Sequence, residues 1–135
     1  FTIDLGVEAT LSRFKLWHRL GNNVYKNHNI KTFEVWGSRN YKKGMQENYW
    51  SEEWKNDWEL LGDYETFKPS GEDKSSVTNE DIAYAEAGFE FMVPIEKQRV
   101  RYVRFAMKSN WSGSNALHIS EITFYGDDRI NDINE

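Results

Sequence analysis

The segment KSNWSGSNA (108–116) holds two side chains suited to binding a polar ligand. Trp111 follows Asn110 and precedes the small residues 112–114, a setting that is hard to explain as core. An indole face stacks on the apolar C–H face of a pyranose, and a side-chain amide bonds the hydroxyls around its edge. We therefore predict that Trp111 and Asn110 contact a sugar. A rim-packing role for Trp111 stays open as the alternative.

A second candidate segment is HRLGNNVYKNHN (18–29). His18 and Arg19 open it, and an imidazole and a guanidinium are suitable hydrogen-bond partners for sugar hydroxyls. We predict that both contact the ligand. The alternative is that the segment is a solvated turn, since Gly21-Asn22-Asn23 favours a tight turn.

A third candidate segment, 39–57, is long and rich in aromatic residues. Trp50 and Trp54 are four residues apart, so they share one face if a helical turn forms. One of them is predicted to give a second stacking platform, with Tyr49 beside it. The alternative is that the segment packs an aromatic cluster of its own against the domain.

No catalytic motif stands out in the sequence. The chain has no cysteine, which excludes disulfides, thiol nucleophiles and zinc–thiolate sites. A nucleophile elbow, a phosphate loop and a dinucleotide fingerprint are missing, and no pair of carboxylates is singled out among the 22 acidic residues. The three histidines, at 18, 28 and 118, lack metal-ligand spacing. We predict that the chain is not an enzyme and requires no cofactor.

The composition indicates one small domain with many aromatic residues. A length of 135 residues leaves room for a single core. Aromatic residues make up 16% of the chain, too many for that core alone, so some are expected at the surface. The net charge of −5 disfavours nucleic acid as a partner and makes membrane lipid an unfavourable one. No apolar run is long enough to span a membrane.

Short runs of alternating apolar and polar residues predict β-strands throughout the chain. The alternation slips once in the last run, which predicts a bulge. Segment 79–87 is predicted to be a helix capped by Asn79, and 46–56 a second short helix. Many short strands separated by turns predict an all-β sandwich or barrel. The predicted strands are 11–18, 30–37, 58–62, 89–93, 99–107 and 117–125.

Six of these pieces, in this order, resemble the discoidin family, also called the coagulation factor five/eight type C domain. The family includes galactose-binding-like carbohydrate-binding modules. The residues of the matching pieces also resemble those of discoidin-like domains in gut Bacteroidetes surface proteins. The resemblance covers 1–126 and leaves 127–135 as a C-terminal tail. The matching pieces are 4–6 (DLG), 14–19 (FKLWHR), 33–38 (FEVWGS), 58–62 (WELLG), 101–105 (RYVRF) and 119–126 (ISEITFYG).

The resemblance implies a jelly-roll β-sandwich of two antiparallel sheets. In the family, further strands and a calcium-binding loop precede the piece that matches 4–6, so this chain is expected to lack its N-terminal strands. The strand-like start, FTIDL, likewise predicts a fragment of a longer protein. Glu121 matches a ligand position of the family's structural calcium, which makes that ion a possible cofactor.

These expectations combine into a predicted non-catalytic carbohydrate-binding module. It would act at the cell surface or in the periplasm of a bacterium, next to other domains of a longer chain, and would aid polysaccharide capture. One alternative is an adhesion module that binds phospholipid or protein. The other is a structural accessory domain whose loop aromatics are buried against its neighbours.

Overall fold

The protein is built almost entirely from antiparallel β-strands. The computed structural model describes residues 1–41, 52–71, 76–94 and 96–129. One α-helix, α1 (Asn79–Ala87), and 3₁₀ turns at Gly21–Asn23 and Glu53–Asp57 complete the described elements. The predicted all-β, sandwich-like architecture is confirmed. The strands are β1 (Thr2–Trp17), β2 (Ile30–Ser38), β3 (Glu59–Glu65), β4 (Phe89–Met92), β5 (Val100–Asn110) and β6 (Glu121–Asp127).

Strand β1 belongs to both layers of the sandwich. Its first half pairs with β5 and extends the order β3-β2-β5-β1 in one layer. Its second half pairs with β6 and with β4 in the other layer. The pairing with β5 shifts register between Asp4 and Ala9, around Gly6, whose φ of 81° suits glycine. One continuous strand thus ties the two layers together.

Phenylalanine side chains fill the space between the layers. Phe14 of β1, Phe33 of β2 and Phe105 of β5 are all buried. The ring centroid of Phe105 lies 5.7 Å from that of Phe14 and 5.7 Å from that of Phe33. Burial of such large rings is the main stabilising contribution in a domain of this size. The result is a rigid scaffold from which the connecting loops project.

Helix α1 has the predicted bounds but a different cap. The Thr78 hydroxyl accepts a hydrogen bond from the Asp81 amide at 3.1 Å, and the Asp81 carboxylate accepts one from the Thr78 amide at 2.9 Å. This reciprocal box requires an acidic residue three positions after the cap, so the prediction of Asn79 as the cap is wrong.

No helix in the described ranges is long and apolar enough to cross a membrane.

Two sequence patterns have a different structural cause from the one predicted. Strand β6 begins only at Glu121, and His118 forms an isolated parallel bridge with Asn29. The slip in 117–125 therefore marks a strand start, while the register shift lies in β1 between Leu11 and Arg13. Of the predicted helix 46–56, residues 46–51 lie outside the described part, and the described remainder holds the 3₁₀ turn Glu53–Asp57 rather than an α-helix.

The expected division into a domain and a tail remains a prediction. Strand β6 extends to Asp127, one residue into the predicted tail 127–135. Residues 130–135 lie outside the described part of the chain.

Candidate functional site

The strand pairing gathers three connecting segments at one end of the sandwich, which we call the loop end. Strand β5 finishes where β2 begins, since Asn110 pairs with Ile30. The described loop end consists of 18–29, 66–71 and 111–120. With Asn110 at the adjoining end of β5, it brings together four of the predicted ligand contacts, which are His18, Arg19, Asn110 and Trp111.

Trp111 is buried rather than exposed. It is only 2% accessible and belongs to the core cluster. The Tyr25 ring packs edge-on against the indole at 5.1 Å, the Lys31 ammonium lies 4.8 Å from the ring centroid, and the indole N–H donates to the Thr66 hydroxyl at 2.9 Å. The expectation of an exposed indole is therefore corrected. The small residues around Trp111 form a turn that directs the ring inwards.

The side chain of Asn110 stabilises that turn through hydrogen bonds. Its side chain is 1% exposed and donates to the Ser114 hydroxyl at 2.9 Å and to the Ala116 carbonyl at 2.7 Å. Its carbonyl oxygen accepts from the Ser112 hydroxyl at 3.1 Å and from the Ser114 amide at 2.9 Å. Both the NH₂ group and the carbonyl oxygen of Asn110 are thus bonded within the loop. The prediction that Asn110 contacts sugar hydroxyls is therefore corrected, because its side chain supports the turn instead.

His18 is fully buried and also stabilises the loop backbone. Its Nε2–H donates to the Ile30 carbonyl at 3.1 Å, so Nδ1 is left as an acceptor and receives the Tyr25 amide proton at 3.3 Å. These bonds assign the neutral Nε2–H tautomer. Desolvation lowers the pKa of His18 to about 4, although the bond to Ile30 opposes the shift. The predicted ligand role of His18 is corrected accordingly.

The buried neutral His18 predicts a loss of stability in mild acid. Its pKa is lowered from 6.5 to about 4 on folding, so the unfolded chain binds the proton first between these values. The contribution is fully present above pH 6.5 and is lost as pH falls toward 4, with a total of roughly 3 kcal/mol. Urea unfolding at pH 7.5, 5.5 and 4.5 measures it.

Two variants provide the controls for that pH dependence. His18→Gln, whose amide can replace both the donor and the acceptor, should flatten the decline. His28→Gln changes a histidine that is not buried and should leave the decline in place. An identical decline in His18→Gln and the native chain would show that His18 is not the titrating group.

Arg19 is the one predicted contact at the loop end whose side chain is exposed. Its backbone is fixed by Asn29, which accepts from the Arg19 amide at 2.8 Å and donates to the Arg19 carbonyl at 3.3 Å. Its guanidinium approaches His118 Nδ1 at 3.3 Å. Arg19 therefore remains a predicted ligand contact.

Trp54 lies away from the loop end. Its ring packs against Trp36 at 5.4 Å, and the Arg104 guanidinium carbon lies 4.8 Å from its centroid. Trp36 is separated from Ile30, at the loop end, by roughly 20 Å of strand. The half-buried Trp54 thus packs an aromatic cluster onto the outer sheet face, as the alternative proposed. Tyr49 and Trp50 lie outside the described residues.

Sequence reasoning missed an exposed aromatic pair at the loop end. Phe67 is 55% exposed and Tyr84 of α1 is 42% exposed, and their rings meet at 5.3 Å. Beside Phe67 is a cavity of about 280 Å³. Its described lining consists of Glu65, Thr66, Phe67, Lys68, Gly71 and Trp111.

The position of Phe67 is fixed from several directions. The Tyr25 hydroxyl donates to the Phe67 carbonyl at 2.7 Å, and the Thr66 hydroxyl donates to the Ile30 carbonyl at 3.1 Å. Burial raises the pKa of that Tyr25 phenol, so Tyr25 keeps its donor proton at neutral pH. The next residue, Lys68, forms a buried ion pair with Asp81 of α1, at 3.5 Å. An exposed ring on so constrained a backbone loses little entropy on stacking against a ligand.

The calcium expectation rests on Glu121 alone. Glu121 is exposed at the start of β6. Within the described ranges, no group of three or more histidine, aspartate or glutamate side chains is placed to hold a metal ion. The described side chains therefore offer no built site for a structural calcium, which stays a prediction from resemblance.

Comparison with known proteins links this chain to a family and to a larger solved structure. Residues 1–126 match DUF5000, a domain of unknown function. The SusE-like protein BT2857 is similar in structure, with a TM-score of 0.83 and 36% sequence identity over 94% of this chain and 46% of that one. The chain thus spans less than half the length of that structure. No curated protein matches it. The discoidin resemblance stays a prediction, and the family match shows that the chain belongs to DUF5000.

Proposed function

We propose that this chain is a non-catalytic glycan-binding module and that Phe67 is its stacking ring. The observation that carries the proposal is the exposed pair of Phe67 and Tyr84 beside the 280 Å³ cavity. An apolar ring face next to polar groups is the arrangement that a pyranose requires. The proposed stacking ring thus changes from Trp111, which is buried and only lines the cavity, to Phe67 in the neighbouring loop.

The cavity offers complementary polar groups. The exposed Glu65 carboxylate ends β3 at the cavity wall and can accept hydrogen bonds from two hydroxyls. A volume of about 280 Å³ lies just below the usual range for ligand sites, which fits a single sugar unit. Because the contacts are few and hydroxyls must lose water, we expect a Kd of roughly 0.1–1 mM.

The likeness to a SusE-like protein supports this proposal. In this proposal the chain is one domain of a larger bacterial cell-surface protein that captures polysaccharide, next to other domains of the same polypeptide. The module would raise the local concentration of a polysaccharide for other proteins. A discoidin-like origin of the sandwich is part of the same proposal.

Replacing Phe67 by Ala should weaken glycan binding about tenfold, since a stacked ring contributes on the order of 1–2 kcal/mol. The fold should survive, because the Phe67 side chain is mostly exposed. A glycan-array screen identifies a ligand, and isothermal titration calorimetry of the native chain and Phe67→Ala measures the difference.

The matched control is Met92→Ala, which removes another exposed apolar side chain from the far end of β4. It should leave both affinity and Tm unchanged. Equal affinity of Phe67→Ala and the native chain would contradict the proposed site. Binding to anionic vesicles without binding to any glycan would favour the adhesion alternative, which the charge of −5 disfavours.

A further inference from the structure

A second group of polar side chains at the loop end lies outside the Phe67 cavity. The Arg19 guanidinium approaches His118 Nδ1 at 3.3 Å, and the rings of His118 and His28 meet at 5.2 Å. His28 Nδ1 lies 3.1 Å from the Ser112 hydroxyl and 2.7 Å from the Ser114 hydroxyl. These five residues, which we call the polar cluster, come from two separate loops, 18–29 and 111–120.

In the polar cluster, hydrogen-bond donors outnumber the acceptors available to them. His118 Nδ1 lies 2.8 Å from the Asn27 carbonyl, an acceptor, so Nδ1 carries the proton. That nitrogen has no lone pair to accept from the Arg19 guanidinium. Within the described part of the chain, no carboxylate lies within ion-pair distance of Arg19. The group that best satisfies this guanidinium is an oxyanion, which can accept two parallel N–H bonds from it.

The loops that carry the polar cluster are held in place by buried amides. Asn29 bonds both backbone groups of Arg19 and donates to the Asn23 carbonyl at 2.7 Å. Asn110 fixes the turn that presents Ser112 and Ser114. Groups fixed in this way bind a ligand without a large ordering cost.

The backbone that presents His28 is also strained. Tyr25, Asn27 and His28 have φ values of 56°, 51° and 73°, which non-glycine residues rarely adopt. Strain of this kind persists only where the surrounding contacts enforce it, and it concentrates at functional sites. The conformation therefore points to the same loop as the donors do.

We propose that the polar cluster is a subsite for an anionic substituent of the glycan, either a uronate carboxylate or a sulfate ester. The inference rests on the proposed glycan binding and narrows it to acidic sugars. The chain as a whole carries −5, yet the exposed Arg19 guanidinium offers a positive charge here that no described carboxylate pairs with. One positioned cation on an acidic protein selects an anionic group by position rather than by bulk attraction.

The test is an NMR titration of the ¹⁵N-labelled chain at a constant ionic strength of about 0.1 M. The probes are glucuronate, glucose 6-sulfate and neutral glucose, with acetate as a control for simple anion binding. At least one acidic sugar should shift the amides of Arg19, Ser112, Ser114 and His118, and glucose should not. The two acidic probes distinguish carboxylate from sulfate recognition.

Variants then test the role of the guanidinium. Arg19→Ala should raise the Kd for the acidic sugar about five- to tenfold, and Arg19→Lys should recover part of the loss. Lys26→Ala, which removes an exposed cation from the same loop, should change the Kd less than twofold. Both native side chains, Arg19 and Lys26, are exposed, so the Tm should not move in any of the three variants.

Several results would overturn the inference. They are the absence of shifts at the polar cluster with either acidic sugar, equal shifts with glucose or acetate, and an unchanged Kd in Arg19→Ala. Shifts confined to the surroundings of Phe67 would overturn it too, but would leave the proposed stacking site intact. Shifts at the polar cluster with none near Phe67 would support the anionic subsite and contradict the stacking ring.

Discussion

Replacing Trp111 by Ala is expected to lower the free energy of unfolding by about 3–5 kcal/mol, the range for truncating a large buried aromatic side chain. The indole is almost fully buried and packs against Tyr25, and its N–H is bonded to the Thr66 hydroxyl at 2.9 Å. Truncation therefore leaves a cavity under the loop end and removes a buried hydrogen bond. Urea unfolding at pH 7.5 measures the loss.

Trp111→Phe keeps most of the packing and removes the hydrogen bond. It keeps an aromatic ring in the core, but it loses the bond to Thr66, whose hydroxyl still donates to the Ile30 carbonyl, and the part of the indole that a phenyl ring does not fill. The expected cost is about 1–2 kcal/mol. A solvent-exposed tryptophan would give less than about 0.5 kcal/mol in both variants, and that outcome would contradict the buried position of Trp111.

The same residue shows why the sequence misled about the site. Serine, glycine and asparagine around Trp111 are typical of an exposed loop, and the loop backbone is indeed at the surface. The indole turns inwards because Asn110 holds the turn, and it meets Thr66 and Tyr25, which are distant in sequence. Local composition therefore predicts where a chain turns, but it does not predict which side chain fills the space beneath the turn.

The buried polar residues were wrongly predicted as ligand contacts for the same reason. His18 and Asn110 have the side-chain chemistry of ligand contacts, but here they satisfy backbone groups of the loops that surround them. Phe67 was missed for the opposite reason, because it lies outside the predicted strands and directly before a polar segment. The signal available was a lone aromatic residue beside that polar segment, with no alternating pattern to assign it to a core.

The strands were more predictable than the site, because alternation is a local property. The predicted runs 30–37 and 89–93 agree with β2 and β4 to within one residue at their ends. The continuous β1, with one half in each layer, was not predicted. Its two halves are separated by a glycine and a register shift, and the partners of each half are set by packing far away in the chain.

Asp81→Asn should have a comparably large effect, because it breaks the buried ion pair that holds the Phe67 loop on α1. The Asp81 carboxylate accepts from the Ser70 amide at 2.9 Å, from the Ser70 hydroxyl at 2.6 Å and from the Thr78 amide at 2.9 Å, and lies 3.5 Å from the Lys68 ammonium. In asparagine one oxygen is replaced by an NH₂ group, which cannot accept a hydrogen bond, and the negative charge opposite Lys68 is lost. We expect a loss of about 3–5 kcal/mol, the range for leaving one buried charge uncompensated.

The exposed pair of Asp63 and Lys108 provides the matched control. Its two groups lie 2.7 Å apart but remain in water, so Asp63→Asn should cost less than about 1 kcal/mol. Lys68→Met combined with Asp81→Leu should recover part of the loss, since it removes both buried charges. Equal losses in Asp81→Asn and Asp63→Asn would show that burial does not determine the strength of the Lys68 pair.

Acid titration distinguishes this pair from His18. Desolvation alone would raise the pKa of the Asp81 carboxyl, but hydrogen bonds from Ser70 and Thr78 and the Lys68 charge outweigh it and hold that pKa below its usual 3.8. The contribution of Asp81 is therefore present above pH 3.8 and disappears only in stronger acid, whereas that of His18 is already lost between 6.5 and about 4. Glycan binding by Phe67 should accordingly outlast the first decline in stability and fail with the second, because only the second releases the loop that carries the ring. Binding lost at pH 5, where the ion pair is intact, would contradict this coupling.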